Sequence, residues 1–93
     1  MGHPVGALLR DRLQVEFVEA DVEIGFNLVD MARTESCAGN WPLAACVLRN
    51  AETVFQDIER RLEHASPHDR QSFGPLIQEL RRQIDEARRH HAA

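Results

Sequence analysis

The sequence has no lysine, no tyrosine and only two cysteines among its 93 residues. All eleven basic side chains are arginines, which we interpret as the codon usage of a GC-rich, bacterial genome. The cysteines, Cys37 and Cys46, are too few for a disulfide framework. The longest apolar run spans a few residues, whereas a membrane-spanning helix needs about 20, and residues 1–4 do not begin a secretory signal. These absences predict a cytoplasmic protein with no membrane partner.

Positive charge is also scarce where negative charge is dense. The net charge of the chain is −4, and residues 13–36 hold six acidic side chains against Arg33 alone. A protein that binds nucleic acid through its phosphates needs a basic stripe on its surface, and the sequence offers none. We therefore expect no nucleic-acid partner.

Apolar residues recur at helical spacing in three segments, and no segment alternates with a period of two, which predicts an all-α fold. We place the helices at about residues 8–35, 41–64 and 67–90, within a single helical domain that spans residues 1–93. Their matched lengths and short connections favour an up-down-up antiparallel three-helix bundle.

The turns between these helices have recognisable signals. Gly39 suits the left-handed end of a helix, and Asn40 is a good N-cap for the second helix. Ser66 followed by Pro67 is typical of the start of the third helix. Because Pro75 has no amide hydrogen to donate, we expect the third helix to be kinked or broken there.

The first helix differs from the other two because it is apolar on two opposite faces. At 100° per residue, one face, which we call the Leu13 seam, comprises Leu13, Phe17, Ala20, Ile24, Leu28 and Met31. The opposite face, which we call the valine seam, comprises Val15, Val18, Val22, Phe26 and Val29. A helix with two apolar faces has to be covered on both.

We expect the Leu13 seam to lie in the core and the valine seam to bind a partner, because a chain of this length can lack the material to cover both. The leading hypothesis is a small α-helical interaction or assembly module that forms a homodimer through the valine seam. The alternative is structural: the first helix lies between the other two, and the third helix covers the valines.

The junction between the first and second helices resembles a tetratricopeptide-repeat hairpin. That repeat places a large residue and then small ones at set offsets through a helix–turn–helix. Seven residues fit it: Leu28, Ala32, Gly39, Trp41, Ala44, Leu48 and Ala51. With a long second helix and one further helix, the chain is also similar to the microtubule-interacting and trafficking domain. The resemblance implies an adaptor that binds a partner protein's helix in a groove between its own helices.

Two groups of side chains have the residue types of a metal site without its spacing. Glu16, Glu19 and Glu23 share a helical face, but helical-bundle metal sites also need Glu-x-x-His pairs, which the sequence lacks. Four zinc-type ligands fall in two pairs at opposite ends of the second helix: Cys37 with Cys46, and His64 with His68. Since no catalytic set or phosphate-binding loop is evident either, we predict no metal, no cofactor and no enzymatic activity.

Overall fold

The computed structural model describes the backbone of residues 5–92 and the side chains of residues 12–90. Three α-helices follow one another: α1 (Val5–Cys37), α2 (Trp41–Glu63) and α3 (Pro67–Ala92). Each helix contacts the other two, and the described residues contain no strand. The side chain of Gln14 donates a hydrogen bond to the carbonyl of Arg61 at 3.3 Å, so the beginning of α1 lies beside the end of α2. The predicted all-α three-helix bundle is confirmed.

Both turns form where the sequence predicts them. Gly39 has a φ of +81°, and the amide of Asn40 donates to the carbonyl of Glu35 at 2.8 Å, which closes the end of α1. The Asn40 side chain forms no capping hydrogen bond within the described part of the chain. Ser66 caps α3, since its hydroxyl accepts a hydrogen bond from the amide of Asp69 at 3.1 Å.

The third helix runs without a break through Pro75. We expected the third helix to be kinked or broken at Pro75, and the expectation of a break is therefore wrong. Proline removes one backbone hydrogen bond, the one to the carbonyl of Gln71. Both residues are exposed, so water can bind that carbonyl, and the rest of α3 supports a single missing bond.

The core lies between the three helices and is built mainly from small and β-branched side chains. Its buried members are Val18, Val22, Val29 and Ala32 of α1, Ala44, Val47, Leu48, Ala51, Phe55 and Ile58 of α2, and Phe73, Leu80, Ile84 and Ala87 of α3. The three alanines that fit the repeat hairpin, Ala32, Ala44 and Ala51, are thus buried, as the close approach of two helices requires.

The valine side of α1 faces the core because it is the side that permits the closest approach. Gly25 lies on this side, and a Cβ atom added there would lie 2.8 Å from Cδ2 of Leu80. Leu80 is fully buried on α3, so its side chain has no free space into which to move. Backbone and side chain therefore pack directly against each other at this point of the α1–α3 contact.

We expect Gly25→Ala to lower the free energy of unfolding by about 1–2 kcal/mol, because overpacking outweighs the better helix propensity of alanine. In a Leu80→Val background the added methyl has room, and the same change should stabilise by up to ~1 kcal/mol. Urea unfolding of the four proteins followed by circular dichroism measures this. The same sign of effect in both backgrounds would contradict the packing at Gly25.

A cluster of charged side chains joins α2 to α3. Glu52 accepts hydrogen bonds from two nitrogens of Arg81, at 2.7 and 3.1 Å, and another from Arg88. The guanidinium of Arg81 also pairs with Asp85 and lies 4.9 Å from the ring centre of Phe55. The hydrogen bond from Arg81 is the main cause that lowers the pKa of Glu52 below its ordinary 4.5, against the opposing effect of burial.

Because the pKa of Glu52 is lowered in the folded chain, its carboxylate stabilises the fold above about pH 4.5, and this contribution disappears as the pH falls through the folded-state pKa. We expect Glu52→Gln to cost about 1–2 kcal/mol at pH 7, and the difference from wild type to shrink in acid. Glu59→Gln, at an exposed position on the same helix, is the control. Urea unfolding at pH 7 and pH 3 tests this, and an equal cost at both would rule out the charge as its source.

Candidate functional site: the exposed apolar face of α1

The Leu13 seam lies on the surface, where it forms a line of large apolar side chains. The exposed fractions are 48% for Leu13, 50% for Phe17, 46% for Ile24 and 52% for Met31. Ala20, between them, is exposed as well. Isolated exposed apolar residues are ordinary, but a continuous row of large ones on one helix is not, which makes this face the candidate site. Our expectation that this seam belongs to the core is wrong for these five residues, whereas Leu28, the sixth, is partly buried and packs against the core.

The valine seam, which we expected to bind a partner, lies in or against the core of the bundle instead. Val18, Val22 and Val29 are buried in the core, while Val15 and Phe26 are partly buried and pack against it. The prediction that these five side chains form an exposed partner-binding face is therefore corrected. The structural alternative holds: α1 packs against both other helices, and they cover its valines.

Two small residues on the valine side were the signal that sequence reasoning missed. At 100° per residue, Gly25 and Ala32 fall on the same side of α1 as Val18 and Val29. Small side chains let helices approach closely, whereas the bulkier Leu13 seam holds a neighbour further away. The smaller face is the one that a compact bundle buries.

The α2 side of the Leu13 seam is closed by Arg61. Its guanidinium lies 4.8 Å from the ring centre of Phe17, and its Nε lies 3.4 Å from a carboxylate oxygen of Asp21. The aromatic ring and the carboxylate together hold this arginine against α1. The seam thus has a fixed border at Phe17, and a helix lying on it would rest there against α1 and the end of α2.

The opposite side of the seam is acidic. Glu16, Glu23 and Asp30 recur every seven residues and lie about 60–100° around α1 from the seam, and all three are exposed. Asp30 has an arginine nitrogen of Arg33 at 3.9 Å, a weak contact. Within residues 12–90 no cation pairs with Glu16 or Glu23. The negative charge along this edge is therefore largely uncompensated.

The other candidate groups do not converge on a site. Both cysteines are exposed and unpaired with each other, and Cys37 lines an open cleft with Trp41 and His90 at one end of the bundle. Among the described residues, no three histidine, cysteine, aspartate or glutamate side chains are grouped as metal ligands. Within the same part of the chain, no helix is long and apolar enough to cross a membrane.

No family model, no curated protein and no solved structure matches the chain. The structure therefore defines the class at the level of a three-helix all-α domain, without support from a family model for either the repeat or the trafficking domain.

Substitutions on the two faces of α1 should have opposite consequences for stability. We expect Val29→Ser to cost about 2–3 kcal/mol, because it removes buried methyl groups and buries a hydroxyl. Met31→Ser, two residues later on the Leu13 seam, should stay within about 0.5 kcal/mol. Thermal and urea unfolding measure both. A stable Val29→Ser protein together with an unfolded Met31→Ser protein would reverse the assignment of the faces.

Proposed function

We propose that this chain is a non-enzymatic protein-interaction module that binds an amphipathic helix of another protein along the Leu13 seam. The observation that carries the proposal is the row of four large apolar side chains that the fold leaves about half exposed: Leu13, Phe17, Ile24 and Met31. They lie on a rigid helix held from behind by the core, which suits a preformed binding surface.

The dimensions and chemistry of the seam fit a helix as the ligand. From Leu13 to Met31 the seam covers five turns of α1, or about 27 Å at 1.5 Å per residue. An amphipathic helix of about 18–20 residues presents apolar anchors every three or four positions over that distance. The surface itself consists of apolar side chains and carboxylates, which suit association rather than catalysis.

We predicted self-association through the valine seam; since Val18, Val22 and Val29 are buried, a second copy of the chain would have to bind the Leu13 seam instead. In an antiparallel pair of α1 helices, the edge with Glu16, Glu23 and Asp30 would face the same edge of the other copy. In a parallel pair it would face the α2 side of the seam, where Asp21 lies beside Arg61. The charges therefore oppose the antiparallel pair, and a size measurement tests self-association.

The resemblance to repeat and trafficking domains supports the same mode of binding. Gly39 adopts the left-handed conformation that the turn needs, and Ala32, Ala44 and Ala51 are buried where α1 and α2 approach. In the proposed adaptor, the bound helix lies on the outer side of this hairpin, against α1 and the border of α2 near Arg61.

A synthetic 19-residue helix with leucines on one face and glutamines beside them tests the proposal. We expect a 1:1 complex by calorimetry, with affinity at least tenfold weaker for Phe17→Ser/Ile24→Ser, because two apolar anchors are lost. Leu76→Ser is the matched control, since Leu76 is 46% exposed but lies on α3.

Light scattering on the free chain completes this experiment. We expect a monomer at micromolar concentration. Absence of peptide binding, or equal binding by the Phe17→Ser/Ile24→Ser protein, would contradict the proposal. A dimer that these two substitutions dissociate would assign the seam to self-association instead.

A further inference from the structure

We infer that the partner helix is basic: it carries arginine or lysine side chains next to its apolar face, positioned to meet the acidic edge of α1. This inference rests on the proposed function and adds the chemical class of the partner. The acidic edge consists of Glu16, Glu23 and Asp30, which follow the Leu13 seam along its whole length.

The regular spacing of the acidic edge is the first argument. The three carboxylates recur at intervals of seven residues, as do the positions that flank the contact in a pair of packed helices. A helix lying on the seam would therefore place one of its own flanking side chains near each of them. Three contacts of one sign along a single edge select for the opposite sign on the ligand.

The absence of internal partners is the second argument. Elsewhere in the described structure, Glu52 of α2 is engaged by Arg81 and Arg88, and Glu79 of α3 by Arg82. The edge of α1 has only the 3.9 Å contact of Asp30 with Arg33. Among residues 12–90, these arginines of α3 pair within α3 or between α2 and α3, and none of them pairs with this edge of α1.

The apolar seam and the acidic edge have separate roles in the complex. The apolar seam supplies most of the affinity, because burial of half-exposed leucine, phenylalanine, isoleucine and methionine side chains removes apolar area from water. Exposed ion pairs contribute little each, roughly 0.2–1 kcal/mol, so the acidic edge acts mainly on selectivity and rate of association. An anionic membrane surface, the other common ligand of an exposed apolar helix face, would be repelled by the same carboxylates.

Two synthetic helices with identical apolar faces test the inference, one with lysine and one with glutamate at the flanking positions. We expect the wild-type chain to bind the lysine helix roughly tenfold or more tightly at low ionic strength, with the preference decreasing as salt is added. Glu16→Lys/Glu23→Lys should reverse the preference. The control Glu59→Lys/Glu63→Lys makes the same change of net charge at exposed positions of α2 and should retain it.

The outcomes separate the inference from the function on which it rests. Equal affinity for both helices, abolished by Phe17→Ser/Ile24→Ser, would overturn the basic partner and leave the helix-binding module in place. Binding of neither helix would overturn both. Loss of the preference in the Glu59→Lys/Glu63→Lys control as well would show that overall charge, and not the acidic edge, selects the ligand, which also overturns the inference.

Discussion

The structure depends on the close approach of α1 to α3 at Gly25. A fully buried leucine, Leu80, lies where the side chain of any other residue at position 25 would begin. This contact selects which side of α1 enters the core, because only the side with glycine, alanine and short valines lets the backbones come so near. With that side chosen, Val18, Val22 and Val29 become core residues.

Because the valine side of α1 enters the core, the other apolar side of the helix is left exposed. One chain has three helices, and α2 and α3 are both needed to enclose the valines, so nothing is left in the described residues to cover Leu13, Phe17, Ile24 and Met31. Exposure of these side chains lowers the stability of the fold little, since the core is complete without them. On this surface, which the fold does not need and which remains apolar over five turns, we propose that a partner binds.

The two sides of the Leu13 seam also differ in charge. On the α2 side, Arg61 is held by Phe17 and Asp21, and on the other side the carboxylates of Glu16 and Glu23 have no internal cation among residues 12–90. Arg81 and Arg88 of α3 instead pair with Glu52, and Arg82 pairs with Glu79. An asymmetric border of this kind favours one class of ligand and one placement over another.

Local signals in the sequence were sufficient for the architecture but not for the face that is buried. Gly39, Ser66 and the helical periodicity act within a few residues, so the three helices and both turns could be predicted. The choice between two apolar seams depends on how closely Gly25 and Leu80 approach across the bundle, which helical periodicity alone does not encode. Weighting by side-chain size would have pointed to the valine seam, whereas weighting by hydrophobicity pointed to the Leu13 seam. The continuity of α3 through Pro75 likewise depends on solvent access to one carbonyl.

Methyl NMR on the chain titrated with the lysine-flanked helix tests the central claim most directly. The account predicts that the methyl resonances of Leu13, Ile24 and Met31 shift together, while those of Val29 and of Leu76 change little. Shifts confined to Leu76, or an unchanged spectrum at saturating helix, would contradict the assignment of the Leu13 seam as the binding surface.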